Sequence, residues 1–530
     1  MTTLIPKFDQ NATGAINRPI NLKFAETISL GDFIPSGTNT SSTDCTAYIQ
    51  AAINAAANNA LYIPAGTYNF TGQLNINSPM MVYGDGYASS LNPVNTGGNT
   101  IFVNSSNVTF SNIRLDGSTP GGIALGNTTS ISNILFENCY FRSVAQVVWL
   151  WTVNNVMVQN CTFDNTGYGV IQQAGYVSNY VTVDNNIAFN MKSDFVEANC
   201  TGSAPSGWWT ITNNIFEGST GFPSSATEQR FVGITSVKNV IISNNNVQKA
   251  NGDAAIHLED TQGECIIDSN IIDNCLCTGG NNGYIYLLNS AKDVTITNNI
   301  FLRTNASLPA AYAFSSSSNI YSNELIFSNN RIVGTSIAGN FGGLALQGGG
   351  GIQKIDNNTF YNMTDCIITG LNMISNASIT GNIAVGATNF LYCPGVIGAT
   401  GGGGNNVLVQ GNTTSGITGY DITFGENTNG TSPCSNISVL SNVFSKVSLI
   451  QDLSNGNTNV VYANNVLSST ASKSFSGATT QQYMNYISSG STFNAVSVLG
   501  NYANDSAAAS GGVPIGGMYR NGSVVQIRVS

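Results

Sequence analysis

Through most of the chain, apolar and polar residues alternate for a few positions, break at a pair of asparagines, and then resume. The unit reads apolar, x, apolar, x, Asn, Asn, apolar, with Phe frequent at the last place. It is seen in VMVQNCTF from Val156, VTVDNNIAF from Val181, WTITNNIF from Trp209, VTITNNIF from Val294 and VVYANNVL from Val460. The first Asn of the pair, or its equivalent, falls at 112, 138, 160, 185, 213, 244, 269, 298, 329, 357, 381, 411, 441 and 464. That makes 14 copies with gaps of 22 to 31 residues. Period-two alternation predicts strands. An Asn pair at a fixed place predicts a tight bend, because Asn tolerates left-handed backbone and bonds neighbouring peptides.

The variable spacing selects the architecture. Propeller blades and leucine-rich horseshoes keep a constant repeat length. A constant strand–bend–strand core with loops of free length predicts an all-β solenoid, a right-handed parallel β-helix. At about 4.8 Å per coil, thirteen intervals predict a rod of ~62 Å. Residues in equivalent bends should stack coil upon coil, and Cys139 and Cys161 share one such slot. A solenoid end needs a cap. STDCTAYIQAAINAAANNA supplies one: Asp44 or Thr43 as N-cap and an Ala-rich helix over 45–58. LYIPAGTYNF and LNINSPMMVYGDG then read as the first coil strands. After about residue 469 the repeat breaks. PIGGMYRNGSVVQIRVS reads as a hairpin turning at Asn521-Gly522. The chain thus divides into 1–30; 31–90, an N-terminal cap with the first coils; 91–468, the β-helix; and 469–530, a C-terminal region read as a cap.

Composition agrees with bends and narrows the chemistry. Asn is the commonest residue with 72 and Gly follows with 57, while charged residues are only 8%, against roughly 25% in ordinary soluble domains. Long helical proteins, disordered chains and helical membrane proteins are excluded by this profile. Net charge is −10, with no Lys/Arg cluster, so nucleic acid and membrane insertion are not expected. The start, MTTLIPKFDQ, lacks an apolar core, so a cleaved export signal is not expected. The ten Cys include no Cys-x-x-Cys pair and read as reduced, buried residues. A single His excludes a His-rich metal site, no calcium-type cluster of acids is evident, and the glycine runs at 348–351 and 401–404 are not followed by a phosphate-loop signature. No metal or cofactor is expected.

The stretch STDCTAYIQAAINAA, LYIPAGTYNF, MVYGDG resembles the opening of the pectate-lyase-like β-helices of phage tailspikes and capsule depolymerases. LIPKFDQNATGAINRPINLKF is similar to the leader of phage tail proteins, and GNYANDSAAASGGVPIGGMYRNGSVVQIRVS to a tail-fibre or tailspike C-terminus. The match covers residues 1–90 and 480–530 by motif and the middle by repeat architecture. One departure is SGTNTSSTDC, which replaces the usual Gly-Asp-Gly-Val-Thr-Asp-Asp turn. The resemblance implies a homotrimer on a virion, attached to a baseplate or adaptor through its N-terminus. It implies assembly in host cytoplasm and action on bacterial capsular polysaccharide or O-antigen.

The resemblance also places the groove on the strand upstream of each Asn pair: 147–153, 169–176, 194–199, 230–236, 254–260 and 283–289. Alternation then orients the side chains. With Val148 and Leu150 inward, Trp149 and Trp151 face out; a one-residue slip would make them core. With Ile256 and Leu258 inward, His257 and Glu259 face out. With Ile285 and Leu287 inward, Tyr284 and Tyr286 face out. The expected substrate strip is therefore Trp149, Trp151, Arg230, His257, Tyr284 and Tyr286, since aromatic faces stack on sugar rings. Asp194, Glu197, Glu228, Asp253, Glu259, Asp260 and Glu264 crowd one stretch of an acid-poor chain. Glu197 and Glu259 fall two coils apart, about 9.6 Å along the axis, near the ~6.5–9.5 Å separation of inverting glycosidases. They are the expected catalytic pair, with Asp194 or Asp260 as substitute. Hydrolysis is the leading reaction; a polysaccharide lyase acting on uronates and a non-catalytic adhesin are the alternatives.

Overall fold

The computed structural model describes residues 7–8, 13, 16, 18–20, 27–94, 100–117, 121–127, 129–219, 228–261, 263–277, 283–289, 293–317, 324–335, 341–346, 351–369, 375–393, 405–424, 435–445, 450–452, 458–467, 480–483, 486–487, 499–522 and 524–530. The chain forms two compact units, Met1–Thr335 and Ser336–Ser530.

In the first unit each coil contributes three strands, one to each of three parallel sheets. The coil Tyr168–Gln172, Ser178–Asp184, Ile187–Met191 is representative, and each strand pairs in parallel with its equivalent in the next coil. Alternation produces inward columns. Val156, Val181, Trp209, Val240, Cys265, Val294 and Leu325 align in register and are all buried. Each such side chain contributes roughly 1.5–3 kcal/mol of burial. Phenylalanines fill the centre; Phe110 and Phe136, for example, stack at 4.9 Å.

The Asn pair divides its work. The first member takes the left-handed bend, with φ of +52° at Asn185 and +57° at Asn213, Asn244 and Asn298. The second member is buried and forms a ladder. Asn186, Asn214, Asn245, Asn270 and Asn299 each donate their backbone N–H to the side-chain oxygen of the asparagine one coil on, at 2.9–3.0 Å. Each amide nitrogen also donates to a strand carbonyl, as Asn214 does to Val183 at 2.9 Å. Below Asn186 the slot holds Cys161 and, one coil earlier, Cys139; Cys161 N–H donates to Asn186 Oδ1 at 2.9 Å. Burial, reinforced by the Cys139 thiol beside it, pushes the Cys161 thiol well above its ordinary range. The nine described cysteines are buried, and none of them is in a disulfide.

The N-terminal helix is Thr46–Ala55, shorter at its C-terminal end than the composition suggests. Its cap position is Cys45, whose side chain makes no capping bond. Asp44 accepts from Thr46 N–H at 3.0 Å and from Thr71 Oγ1 at 2.7 Å. Burial pushes its carboxyl up, but the bonds from Thr46 and Thr71 outweigh this and hold it at about 2. Ile49, Ala52 and Ile53 face the core. Gln50 receives Asn75 N–H at 2.7 Å and donates to Asn75 C=O at 3.0 Å, so one side chain occupies the backbone groups of the first strand, Leu74–Ile76, that have no coil before them.

The second unit repeats the plan. Phe341–Leu346, Asp365–Thr369, Asn389–Cys393, Ile422–Phe424 and Ile450–Asp452 form one parallel sheet. Asn358, Asn382, Asn412, Asn442 and Asn465 form its buried ladder, while Gly381 and Gly411 take the left-handed slot at φ +64° and +66°. Its C-terminal part holds the helix Asp505–Ser510, which strand alternation does not announce. Asn504 caps it by accepting from Ala507 N–H at 2.9 Å. The hairpin pairs Met518–Asn521 with Val524–Ile527. Asn521 pairs with Val524, so the turn begins after Asn521 instead of including it, with Gly522 at φ +61°. Residues 468–479, 484–485 and 488–498, most of the expected C-terminal strands, and the glycines 348–350 and 401–404 lie outside the described residues.

Candidate active site on one sheet face

Six strands carry the face: Gln146–Leu150, Tyr168–Gln172, Val196–Asn199, Val232–Thr235, Ile256–Glu259 and Gly283–Leu288. Their register sets two outward columns. One runs Trp149, Ile171, Glu197, Gly233, His257, Tyr286; the other runs Asn199, Thr235, Glu259, Leu288.

Glu197 and Glu259 therefore stand two coils apart but in different columns. Two coil spacings across and two residues along put their backbones about 12 Å apart, not the 9.6 Å expected from coil number alone. Each side chain is held by its own neighbours. Glu197 Oε1 accepts from Asn199, in the Glu259 column. Glu259 Oε2 leans back to Thr235 Oγ1 at 3.5 Å, and its Oε1 accepts from Asn289 Nδ2 at 2.8 Å. Glu197 Oε2 is buried with no hydrogen-bond partner. Burial pushes the Glu197 carboxyl above its ordinary range, against the Asn199 bond and the Arg230 charge. An orphaned, desolvated carboxylate oxygen favours carrying a proton.

A charge cluster lies beneath. Asp194 is only 3% exposed. Its Oδ1 accepts Arg230 N–H at 2.8 Å and its Oδ2 faces Arg230 Nη1 at 3.3 Å. Arg230 Nε donates to Asp253 Oδ1 at 2.8 Å, and Nη2 pairs with Glu228. Asp253 Oδ2 is 2.6 Å from His257 Nδ1. Burial pushes the Asp194 carboxyl up to about 7 despite Arg230, with Glu197 and Glu228 adding to the rise. Burial also raises Asp253, but His257 and Arg230 outweigh it and hold Asp253 at about 2. Asp194, Asp253 and Glu228 raise Arg230 against its desolvation. Gly233 is required above this cluster, since a Cβ there would stand 2.9 Å from Asp194 Oδ2.

Several expectations need correction. Tyr284 does not face out; it is fully buried and its hydroxyl donates to Leu302 C=O at 3.1 Å. Tyr284, the second residue of its strand, aligns with Phe195, Phe231 and Ala255, which precede the equivalent strands and are likewise fully buried. Arg230 is engaged by three carboxylates and is not presented to a ligand. Asp194 lies under the face. Asp260 takes the left-handed bend after its strand, at φ +48°, in the slot used by Ser236 and Asn289 in adjacent coils.

Trp149 and Trp151 are half-buried and outward, with ring centroids 5.6 Å apart. Trp151 continues to Tyr176 at 4.8 Å. Both indole N–H groups are buried without a partner. His257 meets the Tyr286 ring edge-on at 5.3 Å, and its Nε2 lies 3.9 Å from Glu259 Oε2, without a hydrogen bond. Sequence reasoning gave no role to Asp253, Gly233, Asn199 or Asn289; Asp253, four residues before the only His, was the one with a visible cue. Glu217 also falls in the acidic stretch but pairs with Lys249 away from this face. Among the described residues no group of three or more His, Cys, Asp or Glu is placed to hold a metal ion.

Residues 88–235 match the family model of the right handed beta helix region. Residues 36–104 match that of rhamnogalacturonase A/epimerase, pectate lyase-like. The fold is a right-handed, pectate-lyase-like β-helix. No curated protein sequence matches the chain. Similar solved structures include ORF18 of Geobacillus virus E2, at 16% identity over 62% of this chain and 67% of that one, TM-score 0.45. A tailspike protein variant of E. coli bacteriophage HK620 in complex with pentasaccharide is similar at 13% identity over 91% and 84%, TM-score 0.44. The catalytic unit of the GH87 alpha-1,3-glucanase from Streptomyces thermodiastaticus is similar at 15% identity over 78% and 68%, TM-score 0.40.

Proposed function

We propose that this β-helix binds and depolymerises a bacterial surface polysaccharide, capsule or O-antigen, by inverting glycosidic hydrolysis. The observation that carries the reading is the pair Glu197 and Glu259, which stand two coils apart on one outward sheet face and differ in environment. Glu197, desolvated and with an unpaired oxygen, is the general acid: it gives its proton to the glycosidic oxygen as the bond to the anomeric carbon breaks. Glu259, held by Asn289 and Thr235, is the general base: it takes a proton from the water that attacks the opposite side of that carbon. The Trp149 and Trp151 rings, two coils before Glu197, and the Tyr176 ring, one coil before it, offer stacking surface to sugar residues flanking the cut.

A lyase would need a cation for the uronate carboxylate. Arg230, the cation of this site, is already shared among Asp194, Glu228 and Asp253, which favours hydrolysis. The proposed setting is a phage tailspike: a homotrimer on the virion, joined to a baseplate or adaptor by its N-terminus, assembled in host cytoplasm and acting at the bacterial surface. Met518, Val524, Ile527 and Val529 are more than half exposed on and beside the C-terminal hairpin, an apolar surface that partner copies would cover.

The test incubates purified protein with capsular polysaccharides and O-antigens from a strain panel and weighs the products. Saturated reducing-end oligosaccharides support hydrolysis, ultraviolet-absorbing unsaturated ends a lyase, and unchanged polymer an adhesin. Glu197→Gln and Glu259→Gln should each lose turnover by 100-fold or more, on the order expected for removal of a general acid or base, while still binding. Normal turnover by both variants would sink the assignment. Sedimentation of the intact chain tests the trimer.

A further inference from the structure

A second asparagine ladder runs along a different bend, where the chain enters the second strand of each coil. Asn107, Asn133 and Asn155 are in register there, with φ of +59°, +61° and +58°. Asn133 Nδ2 donates to Asn107 Oδ1 and Asn155 Nδ2 to Asn133 Oδ1, each at 2.8 Å. In the next two coils the same slot is filled by Tyr180 and Trp208, and Asn239 follows.

These two residues break the local rule. Both keep left-handed backbone, at φ +55° and +57°, a conformation that suits Asn and strains a bulky side chain. Among the described residues they are the only aromatic ones so held. Their rings lie parallel within 6° at 5.0 Å, yet Tyr180 is 53% and Trp208 49% exposed. Packing does not demand them, since an asparagine in either place would extend the ladder. Strain retained at an exposed position points to use rather than to folding.

The surroundings indicate what is bound. The aromatic patch ends after two coils, with Asn155 on one side and Asn239 on the other, and the outward residues two positions on are Thr182 and Thr210. Asn179 beside it donates to Asn154 Oδ1 at 3.0 Å and accepts Gly207 N–H at 2.9 Å. With the Asn239 amide oriented to satisfy both neighbours, its oxygen accepts from Trp208 Nε1 at 3.2 Å. The column of Thr182 and Thr210 continues into exposed Met157 on one side and Ile241 on the other; two exposed rings beside apolar, amide and hydroxyl groups suit a ligand that is apolar on one face and rich in hydroxyls at its rim.

We propose that Tyr180 and Trp208 form a second glycan-binding site, distinct from the Glu197 face, that holds pyranose rings of the polysaccharide against exposed aromatic surface while neighbouring amides and hydroxyls bond its rim. It takes its ligand class from the proposed function. It lies on the neighbouring sheet of the same coils, so a long polymer can be retained there independently of cleavage.

The slot supplies its own control. Tyr180→Asn and Trp208→Asn each restore the residue that the bend prefers, so the variants should fold and melt at an equal or higher temperature. In a Glu197→Gln background, which prevents consumption of the ligand, each is titrated with the purified capsular polysaccharides and O-antigens of the strain panel. Affinity should fall about 3- to 10-fold per residue, the size of one aromatic stacking contact. Unchanged affinity in the double variant overturns this site and leaves the proposed function standing. Failure of the Glu197→Gln parent to bind any of these polymers overturns both. A change in sedimentation with unchanged affinity assigns the patch to contact between copies instead and also overturns the proposal.

Discussion

Asp194 receives the backbone N–H of Arg230 on one oxygen at 2.8 Å and faces that residue's guanidinium with the other at 3.3 Å. One residue thus anchors both the start of a face strand and the cation beneath it. Because Asp253 and Glu228 share the same guanidinium, three carboxylates compete for one positive charge, and burial pushes the carboxyl of the most deeply buried of them, Asp194, upward.

A pH dependence of stability follows. The Asp194 carboxyl is raised from 3.8 to about 7 in the folded chain. The folded state therefore holds a proton that the unfolded state releases, and stability declines as pH rises from about 4 to 7. Asp253 is lowered from 3.8 to about 2, so its contribution is present above pH 4 and lost as pH falls toward 2. Melting temperatures from pH 3 to 8 should decline across the upper window, and Asp194→Asn should flatten that decline. An equal slope in both proteins would count against the buried proton.

Ile171 is the ladder neighbour of Glu197 and is 7% exposed. Replacing it with Asn brings polarity to the carboxyl and weakens the desolvation that raises it. If Glu197 is the proton donor, the alkaline limb of the kcat/KM profile in Ile171→Asn should move to lower pH. An unmoved limb would argue for a different acid.

Tyr284 and Tyr286 are separated by one residue yet do different work. Tyr284 is fully buried, so Tyr284→Ala should cost about 3–5 kcal/mol, as large core truncations do. Tyr286 is half-buried and edge-on to His257, so Tyr286→Ala should cost about 1 kcal/mol or less and register instead in KM. Chemical denaturation beside steady-state kinetics separates the two.

The two asparagines of one bend should also differ. Asn214→Ala removes the acceptor of Asn186 N–H and the donor to Val183 C=O, both buried, at a cost of about 3 kcal/mol or more. Asn213→Gly leaves a residue that the same slot already holds as Gly381 and Gly411, and should cost about 0.5 kcal/mol or less. Urea midpoints of the two variants, interpreted at constant slope, check this.

The coils were legible because their cause is local: alternation and a bend residue suffice, and Asn185 and Asn186 mark the turn wherever they occur. What stayed hidden was set by neighbouring coils. Tyr284 looked outward by alternation, but it takes the inward orientation of Phe231 and Ala255, its equivalents in the coils before it. The coil separation of Glu197 and Glu259 could be counted, while their two-residue offset arises only when loops of unequal length have brought Val196, Val232 and Ile256 into register. Arg230 looked available for a ligand because Asp253 reaches it from another coil. The helix at 505–510 carried a cap signal in Asn504, overlooked beside a region of failing strand periodicity.

The buried ladder at Asn186 through Asn299 acts as a set of registration marks. Every coil is brought back to the same phase at its asparagine, whatever length of chain preceded it, so a loop that lengthens on one turn does not propagate an error to the next. Surface segments between marks can therefore diverge, expand or be exchanged without disturbing the core. A scaffold of this kind lets recognition surfaces change quickly while the frame that presents them stays the same.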